Sequence, residues 1–193
     1  IESFDIALEF TLFNNFLDGS IEYYRRNSSE LLYEQPIALS NGAESFPANI
    51  GDMYNAGIEL GLTANLITTP DFRWGLTVTA STLENEITSL PTPLINGSKR
   101  WDTGRSRYDF FLLHAAEVDP TTGDQLFFMY EFDDDGNSVP VLEGDGSQAT
   151  TNDWQETERA YTGASSIPDL VGSVSTSFFY KGFSLDILTT FGI

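Results

Sequence analysis

The chain has no cysteine, one histidine, two methionines, and nine lysines and arginines against 29 acidic residues. Each scarcity excludes something. Without cysteine no disulfide framework holds the fold. One histidine and no thiol leave no Cys/His set for a zinc site or a Cys/His catalytic pair. A formal charge of -20 has the wrong sign for a nucleic-acid partner, which requires a basic face. No run approaches the roughly 18 apolar residues of a membrane-spanning helix. A transmembrane β-barrel is untouched by that test, because its strands need only about 9–11 residues and leave a weak alternating pattern. No Met, charged n-region or apolar h-region stands before Ile1, as expected of a mature secreted chain or of an internal fragment.

Aromatic residues are plentiful, with 15 Phe, 8 Tyr and 3 Trp, and the dominant pattern is alternation with period two. Phe4, Ile6, Leu8, Phe10 and Leu12 fall on one face of an extended run, with Asp5, Ala7, Glu9 and Thr11 on the other. Asp18–Arg26 is less regular and continues through 31–37 after a bend at Asn27–Ser29, with Pro36 marking an edge or an end. Ser40–Asp52, rich in Asn, Gly, Ser and Pro, reads as a loop. Ile58, Leu60, Leu62, Ala64 and Leu66 then alternate with Gly57, Glu59, Gly61, Thr63 and Asn65; Trp74, Leu76, Val78 and Ala80 follow in the same style. The pattern returns at Leu170–Tyr180 and Phe183–Phe191 around Lys181-Gly182, a tight hairpin connection in which glycine supplies a positive φ.

The face opposite the apolar one is small and polar. Between Phe4 and Phe13, and between Gly57 and Asn65, it carries no Lys or Arg. A soluble β-sandwich usually places Lys and Glu there, whereas a surface turned to a lumen or plug is charge-poor in this way. Connections add a second asymmetry. Those at Asn14–Leu17, Thr68–Asp71 and Lys181-Gly182 are short, while 36–52 and 90–169 are long. Outer-membrane barrels join strands by short periplasmic turns and longer external loops. The expectation is an all-β fragment of a large antiparallel transmembrane β-barrel with long extracellular loops, occupying residues 1–193 with about six wall strands. The long segment 89–169 is then an external loop region with its own hairpin: strand-like runs at Tyr108–His114 and Gln125–Phe132 flank the turn Asp119–Asp124. The alternative is a secreted, non-enzymatic β-sandwich binding module.

Blocks of residues carry a family resemblance. Phe4 through Asn15 with Gly19 through Tyr24, Asn49 through Leu60, Val118 through Asp124, and Ile167 through Leu170 with Tyr180 through Phe183 resemble, in order, segments of the SusC/RagA family of TonB-dependent outer-membrane transporters. Ala56 stands where the family usually has Lys, and residues 133–158 match no block. The resemblance implies a plugged barrel of about 22 strands. It also implies energy delivered through the TonB complex, a SusD-like surface lipoprotein as partner, and glycan or peptide import across the outer membrane of a Gram-negative bacterium. The plug, the TonB-contacting segment and the closing strands would lie outside these residues.

Twelve acids and no Lys or Arg lie between Glu117 and Glu158. Asp133-Asp134-Asp135-Gly136-Asn137 has oxygens at alternate positions, as calcium loops do, but Gly144 holds the twelfth position where an EF-hand places Glu, and a solvated hairpin turn is the simpler reading. No metal or other cofactor is expected. His114, inside an apolar run, reads as structural. Hydrolase motifs such as Gly-x-Ser-x-Gly are missing, and no catalytic residue is assigned; the chain is not expected to be an enzyme. Trp101, Tyr108, Trp154 and Tyr161 are the candidates for contacting substrate or partner by aromatic stacking; the competing reading makes them anchors of the loop's own small core. Phe16, Phe72, Trp74, Phe178, Tyr180 and Phe183, beside the short turns, read as an aromatic girdle against lipid or as ordinary strand packing.

Overall fold

The structure is a computed structural model that describes residues 1–38, 40, 42–43 and 45–193. It is all-β among these residues and divides into two compact units.

The first unit holds β1 (Glu2–Leu12), β2 (Leu17–Pro36), β3 (Ser45–Thr68), β4 (Phe72–Ser81) and β5 (Glu84–Ser89). The second holds nine short strands: β6 (Leu94–Asn96), β7 (Lys99–Trp101), β8 (Asp109–Leu112), β9 (Ala115–Val118), β10 (Gln125–Phe128), β11 (Tyr130–Phe132), β12 (Ser138–Pro140), β13 (Thr150–Thr151) and β14 (Ala160–Ser165). The chain then returns to the first unit with β15 (Val171–Tyr180) and β16 (Phe183–Gly192). The long strands form one antiparallel sheet in the order β1-β2-β3-β4-β15-β16, with β5 beside β3. Among the described residues β1 and β16 pair on one side only.

Local chemistry explains the connections. Leu12 faces Leu17 across a four-residue turn in which Phe13, Asn14 and Asn15 all have positive φ; Asn is the non-glycine residue that best tolerates it. At Thr69 the hydroxyl accepts from the Phe72 amide at 3.0 Å and donates to the Phe72 carbonyl at 2.8 Å, closing the second turn. Lys181 and Gly182, at φ 44° and 93°, form the two-residue connection between Tyr180 and Phe183, and two positive φ values match the twist of a type I′ hairpin.

The expected loop at Ser40–Asp52 is corrected in part. Asn41 and Glu44 lie outside the described residues, while Ser45–Asp52 belong to β3 and pair with the far half of β2. Among the described residues no strand lies beside Ser45–Gly51 on the side away from β2, and such an edge accommodates Pro47. The bend expected at Asn27–Ser29 is a bulge: the β2/β3 register shifts between Ser28 and Leu31, and Glu30 takes φ 55°. In the second unit the turn Asp119–Asp124 joins β9 to β10, whereas β8, from the run Tyr108–His114, pairs with β14 and β7.

Register fixes the two faces of the large sheet. Leu8, Ile21, Leu60, Ala80, Gly172 and Phe191 stand opposite one another across six strands, as do Phe10, Gly19, Leu62, Val78, Val174 and Thr189. The reverse face carries Glu9, Ser20, Gly61, Thr79, Ser173 and Thr190 in one row, and Thr11, Asp18, Thr63, Thr77, Ser175 and Leu188 in the next. Glycine inside a strand costs packing unless a neighbour covers it, and the ring of Phe10 lies over Gly19 where a Cβ would stand.

A β-carbon at Gly19 would meet both Phe10 and Leu62. Gly19→Val in the intact parent protein is therefore expected to destabilise the folded sheet by about 1–3 kcal/mol, the usual cost of overpacking. Phe10→Ala placed in the same variant should recover part of it. The readout is the unfolding midpoint in urea; a variant as stable as the wild type would remove the covering role from Phe10.

Candidate functional site

Two surfaces of the first unit, and the interior of the second, carry the chemistry available to this chain. The apolar face of the large sheet is uncovered. Phe4, Ile6, Leu8 and Leu185 are 57–62% exposed and Ile58 is 48% exposed. Leu60 and Leu62 are half-buried by their neighbours in the same sheet. The sandwich alternative needs these residues in a dry core between two sheets; the first unit contains one sheet, and its fully buried large side chain is Ile87.

At the short-turn end this face becomes aromatic. Trp74 stacks on Phe178 at 5.7 Å between centroids and 15° between planes; Phe72 meets Tyr180 edge-on at 6.5 Å. The Trp74 indole N–H donates to Thr176 Oγ1 at 2.9 Å, so its polar atom is satisfied within the sheet. Phe16, Tyr180 and Phe183 complete a belt of exposed rings.

The reverse face is hydroxylic and acidic. Thr63 and Thr77 join at 3.2 Å, Thr79 and Ser173 at 2.8 Å, and Thr11 donates to Asp18 at 2.7 Å. Its acids are Asp5, Glu9, Asp18, Glu22 and Glu59 on β1–β3 and Asp186 on β16. Glu22 and Glu59 are direct cross-strand neighbours, an arrangement that costs stability unless water or a partner screens it. Such a face is wettable and offers acceptors and hydroxyls.

The four residues proposed to contact substrate or partner all lie in the second unit. Tyr161 packs edge-on against the fully buried Phe111 at 5.1 Å and donates its hydroxyl to the Arg100 carbonyl at 3.1 Å. Trp101 donates to the Arg107 carbonyl at 3.0 Å and lies 5.1 Å from the Arg107 guanidinium. Arg107 also stands 5.5 Å from the Tyr108 ring. Trp101 and Tyr108 thus share Arg107, Tyr161 joins the Phe111 core, and Trp154 is 59% exposed.

Sequence reasoning had not singled out the cations of this unit. Arg100 is 7% exposed, paired with Asp102 at 3.2 Å, and lies near the rings of Phe111 and Phe132. Lys99 donates to Ser166 Oγ at 2.7 Å and sits over Phe110 at 4.1 Å; Arg159 donates to the Gly97 carbonyl at 2.7 Å. These cations staple segments together. The available clue was density: Lys99, Arg100, Arg105 and Arg107 fall within nine residues of a chain that has nine cations in all. His114 lies between the Tyr130 hydroxyl, 3.1 Å from Nδ1, and the Ala160 carbonyl, 3.3 Å from Nε2, a structural setting satisfied by the tautomer with hydrogen on Nε2.

Asp133 directs its carboxylate into its own turn, accepting from the amides of Asn137 at 2.7 Å and Asp135 at 3.0 Å. Asp119 accepts from the Thr121 amide at 2.7 Å, and Asp145 from the hydroxyl and amide of Ser147 at 2.7 and 2.9 Å. These donors hold all three carboxyls below the ordinary value of 3.8: the Thr121 amide foremost for Asp119, the Asn137 amide for Asp133, and the Ser147 hydroxyl for Asp145.

No family model matches the chain. Curated relatives do. It is 33% identical over 87 residues to TonB-dependent receptor P3 of Formosa agariphila, covering 45% of this chain and 9% of that protein. It is 33% identical over 89 residues to TonB-dependent receptor SusC of Bacteroides thetaiotaomicron, covering 46% and 9%. The RagAB peptide transporter has the same fold across 99% of this chain and 21% of its own, with a TM-score of 0.82 at 24% identity. The RagAB peptide importer in its open-open state gives 0.80 at 24%. The fold is that of a segment of large antiparallel barrel wall. The chain is thus similar in sequence to TonB-dependent receptors, SusC among them, over nearly half its length, and similar in fold to the RagAB transporter over nearly all of it. The chain spans about a tenth of the length of the curated relatives it matches.

A carboxyl held below its ordinary value stabilises its turn above that value and loses the contribution as pH falls through the lowered one. Protection of the Thr121, Asn137 and Ser147 amides against hydrogen exchange, corrected for intrinsic rates, should therefore fall as acidification goes below the ordinary carboxyl value of 3.8 and through the lowered ones. In Asp133→Asn the Asn137 amide should lose that dependence. Unchanged protection across the range in the wild type would remove the carboxylates from the turns' stability.

Proposed function

We propose that this chain is part of the wall and outer surface of a TonB-dependent outer-membrane importer. Its apolar sheet face lies against lipid, its hydroxylic face lines the lumen, and the 89–169 region lies outside the cell as a loop domain. The observation that carries the reading is the uncovered apolar face with its aromatic belt. The height of that face agrees. From the Phe72 row to the Ile58 row is about ten residues of strand, or about 34 Å at 3.4 Å per residue. At a tilt of about 40°, usual in barrels, this rises about 26 Å. Membrane barrels carry an apolar band about 25 Å tall.

The likeness to SusC and to RagAB supports a SusD-like surface lipoprotein as the working partner and glycans or peptides as the cargo. Energy would come from the TonB complex through a plug contributed by the rest of the parent protein. The chain itself supplies wall and loop, and no catalytic step. Trp101, Tyr108, Trp154 and Tyr161 are the aromatic candidates for contact on the loop domain, with the exposed Trp154 the one whose ring is available without rearrangement.

The two faces make opposite forecasts. Val78→Arg places a charge in the middle of the lipid-facing band and should cost about 2–4 kcal/mol of barrel stability. Thr79→Arg, one residue away on the lumen face, should cost far less. Heat-modified migration of the purified parent protein reads both; equal effects would sink the assignment of faces. For transport itself, deletion of the parent gene should abolish growth on at least one polymeric glycan or peptide source, with loss of Trp154 reducing uptake. Unchanged uptake of every polymer after deletion would remove the importer reading.

A further inference from the structure

The β6/β7 hairpin turns through Gly97 and Ser98, with Asn96 paired to Lys99 across the turn. Asn96, Gly97 and Ser98 are exposed, and Gly97 has φ 62° with open space where a Cβ would stand. The main-chain oxygens of the turn are taken. Arg159 Nη1 donates to the Gly97 carbonyl at 2.7 Å, and the Phe111 amide donates to the Ser98 carbonyl at 2.8 Å. The Gly97 N–H and the Asn96 carboxamide have no partner among the described residues.

An asparagine carries an electrophilic carbon, Cγ, close to the amide nitrogen of the next residue. Attack by that nitrogen closes a five-membered imide. In a folded chain the reaction is ordinarily held back by a Cβ on the following residue, by a hydrogen bond on the attacking nitrogen, and by a backbone that keeps Cγ away. At Asn96 the first is missing because Gly97 has no Cβ, and the second because its N–H is free. The third is weak. β6 is three residues long and lies at the edge of its sheet, in the order β14-β8-β7-β6, so it opens locally at small cost. Asn137, also exposed, is the contrasting case. Its carboxamide donates to Asp133 Oδ2 at 3.3 Å, and the next residue is Ser138, which has a side chain and is paired to Phe132 in the β11/β12 ladder.

We infer that Asn96 is a site of spontaneous deamidation through an imide. The Gly97 nitrogen bonds to Asn96 Cγ, the Cγ–Nδ2 bond breaks, and ammonia leaves with the proton that the Gly97 nitrogen gives up. One water then opens the ring. Opening at Cγ gives aspartate; opening at the main-chain carbonyl gives isoaspartate, in which the chain runs through Cβ and Cγ. Water is the one co-reactant. Either product adds a negative charge to the tip, and isoaspartate lengthens the main chain by a methylene and so moves the Gly97 carbonyl that Arg159 holds. Nothing in this chemistry depends on a membrane.

The test incubates the intact parent protein at mildly alkaline pH, folded and unfolded in urea. Asn96 and Asn137 are followed by peptide mapping with mass spectrometry, and isoaspartate is counted by its enzymatic methylation. Mapping separates Asn96 from Asn41, which also precedes glycine but lies outside the described residues. Asn96 in the folded protein should convert within about tenfold of its unfolded rate, as a short edge strand that opens easily allows. Folding should slow Asn137 by more than about tenfold, the factor that a hydrogen bond to a charged group is worth. Gly97→Asp keeps a residue that tolerates positive φ and should slow conversion of Asn96 several-fold. Asn96→Gln, whose longer side chain closes the ring far more slowly, should abolish the product at this position and serves if Gly97→Asp does not fold. An Asn96 that stays intact in the folded protein while it converts in the unfolded one overturns the inference. So does a folded rate no faster than that of Asn137, or a rate unchanged by Gly97→Asp. Aspartate without isoaspartate also overturns it, because direct hydrolysis of the side chain bypasses the imide.

Discussion

Cross-strand registration is the interaction on which the rest of this molecule depends. Five consecutive antiparallel interfaces, from β1/β2 to β15/β16, align residues of like character into rows that cross the whole sheet. Side chains alternate with period two, so a slip of one residue at any interface would carry Leu60 to the wet face and Glu59 to the apolar one. The bulges in β2/β3 and β3/β4 accommodate local twist without such an inversion, because the rows remain in phase on either side of them. Glycines inside the sheet are compatible with this order where an aromatic ring from the next strand covers them, as Phe10 covers Gly19.

Registration satisfies the backbone but gives the sheet no interior. A soluble domain of this size would bury many aliphatic side chains, whereas Ile87 and Phe111 are the large ones fully buried among the described residues. An apolar surface of this extent is stable only against something equally apolar. Aromatic rings gather at one edge of the face, and the polar Arg25–Tyr54–Glu84–Glu86 cluster stands toward the other.

The second unit is built differently. Its strands are two to six residues long, too short to hold one another by ladders alone. A small core around Phe111, with Tyr161 against it, is reinforced by cations that reach backbone carbonyls or rings. At Asp133 the carboxylate turns inward and accepts from the amides of its own turn. The same economy recurs at Asp119 and Asp145. The negative charge is therefore both a solvated surface and a set of local turn braces.

The sequence by itself determined the period of the long strands, which residues share a face, and where tight turns fall. These depend on neighbours one to four positions apart: alternation in Phe4–Leu12, Asn14-Asn15, Lys181-Gly182. The likeness to transporter blocks was legible for the same reason, since those blocks are contiguous. Only the tertiary structure decided that β4 pairs with β15 across the whole second unit, that β8 joins β14 rather than the neighbouring hairpin, and that Ser45–Asp52 extends a strand. It alone buried Arg100, engaged Trp101 and Tyr161 in the loop's packing, and set Arg25 over Tyr54 beside two carboxylates of another strand. Such arrangements join residues up to about a hundred positions apart, and a local pattern of polarity cannot encode which distant partner completes a ladder or a cluster.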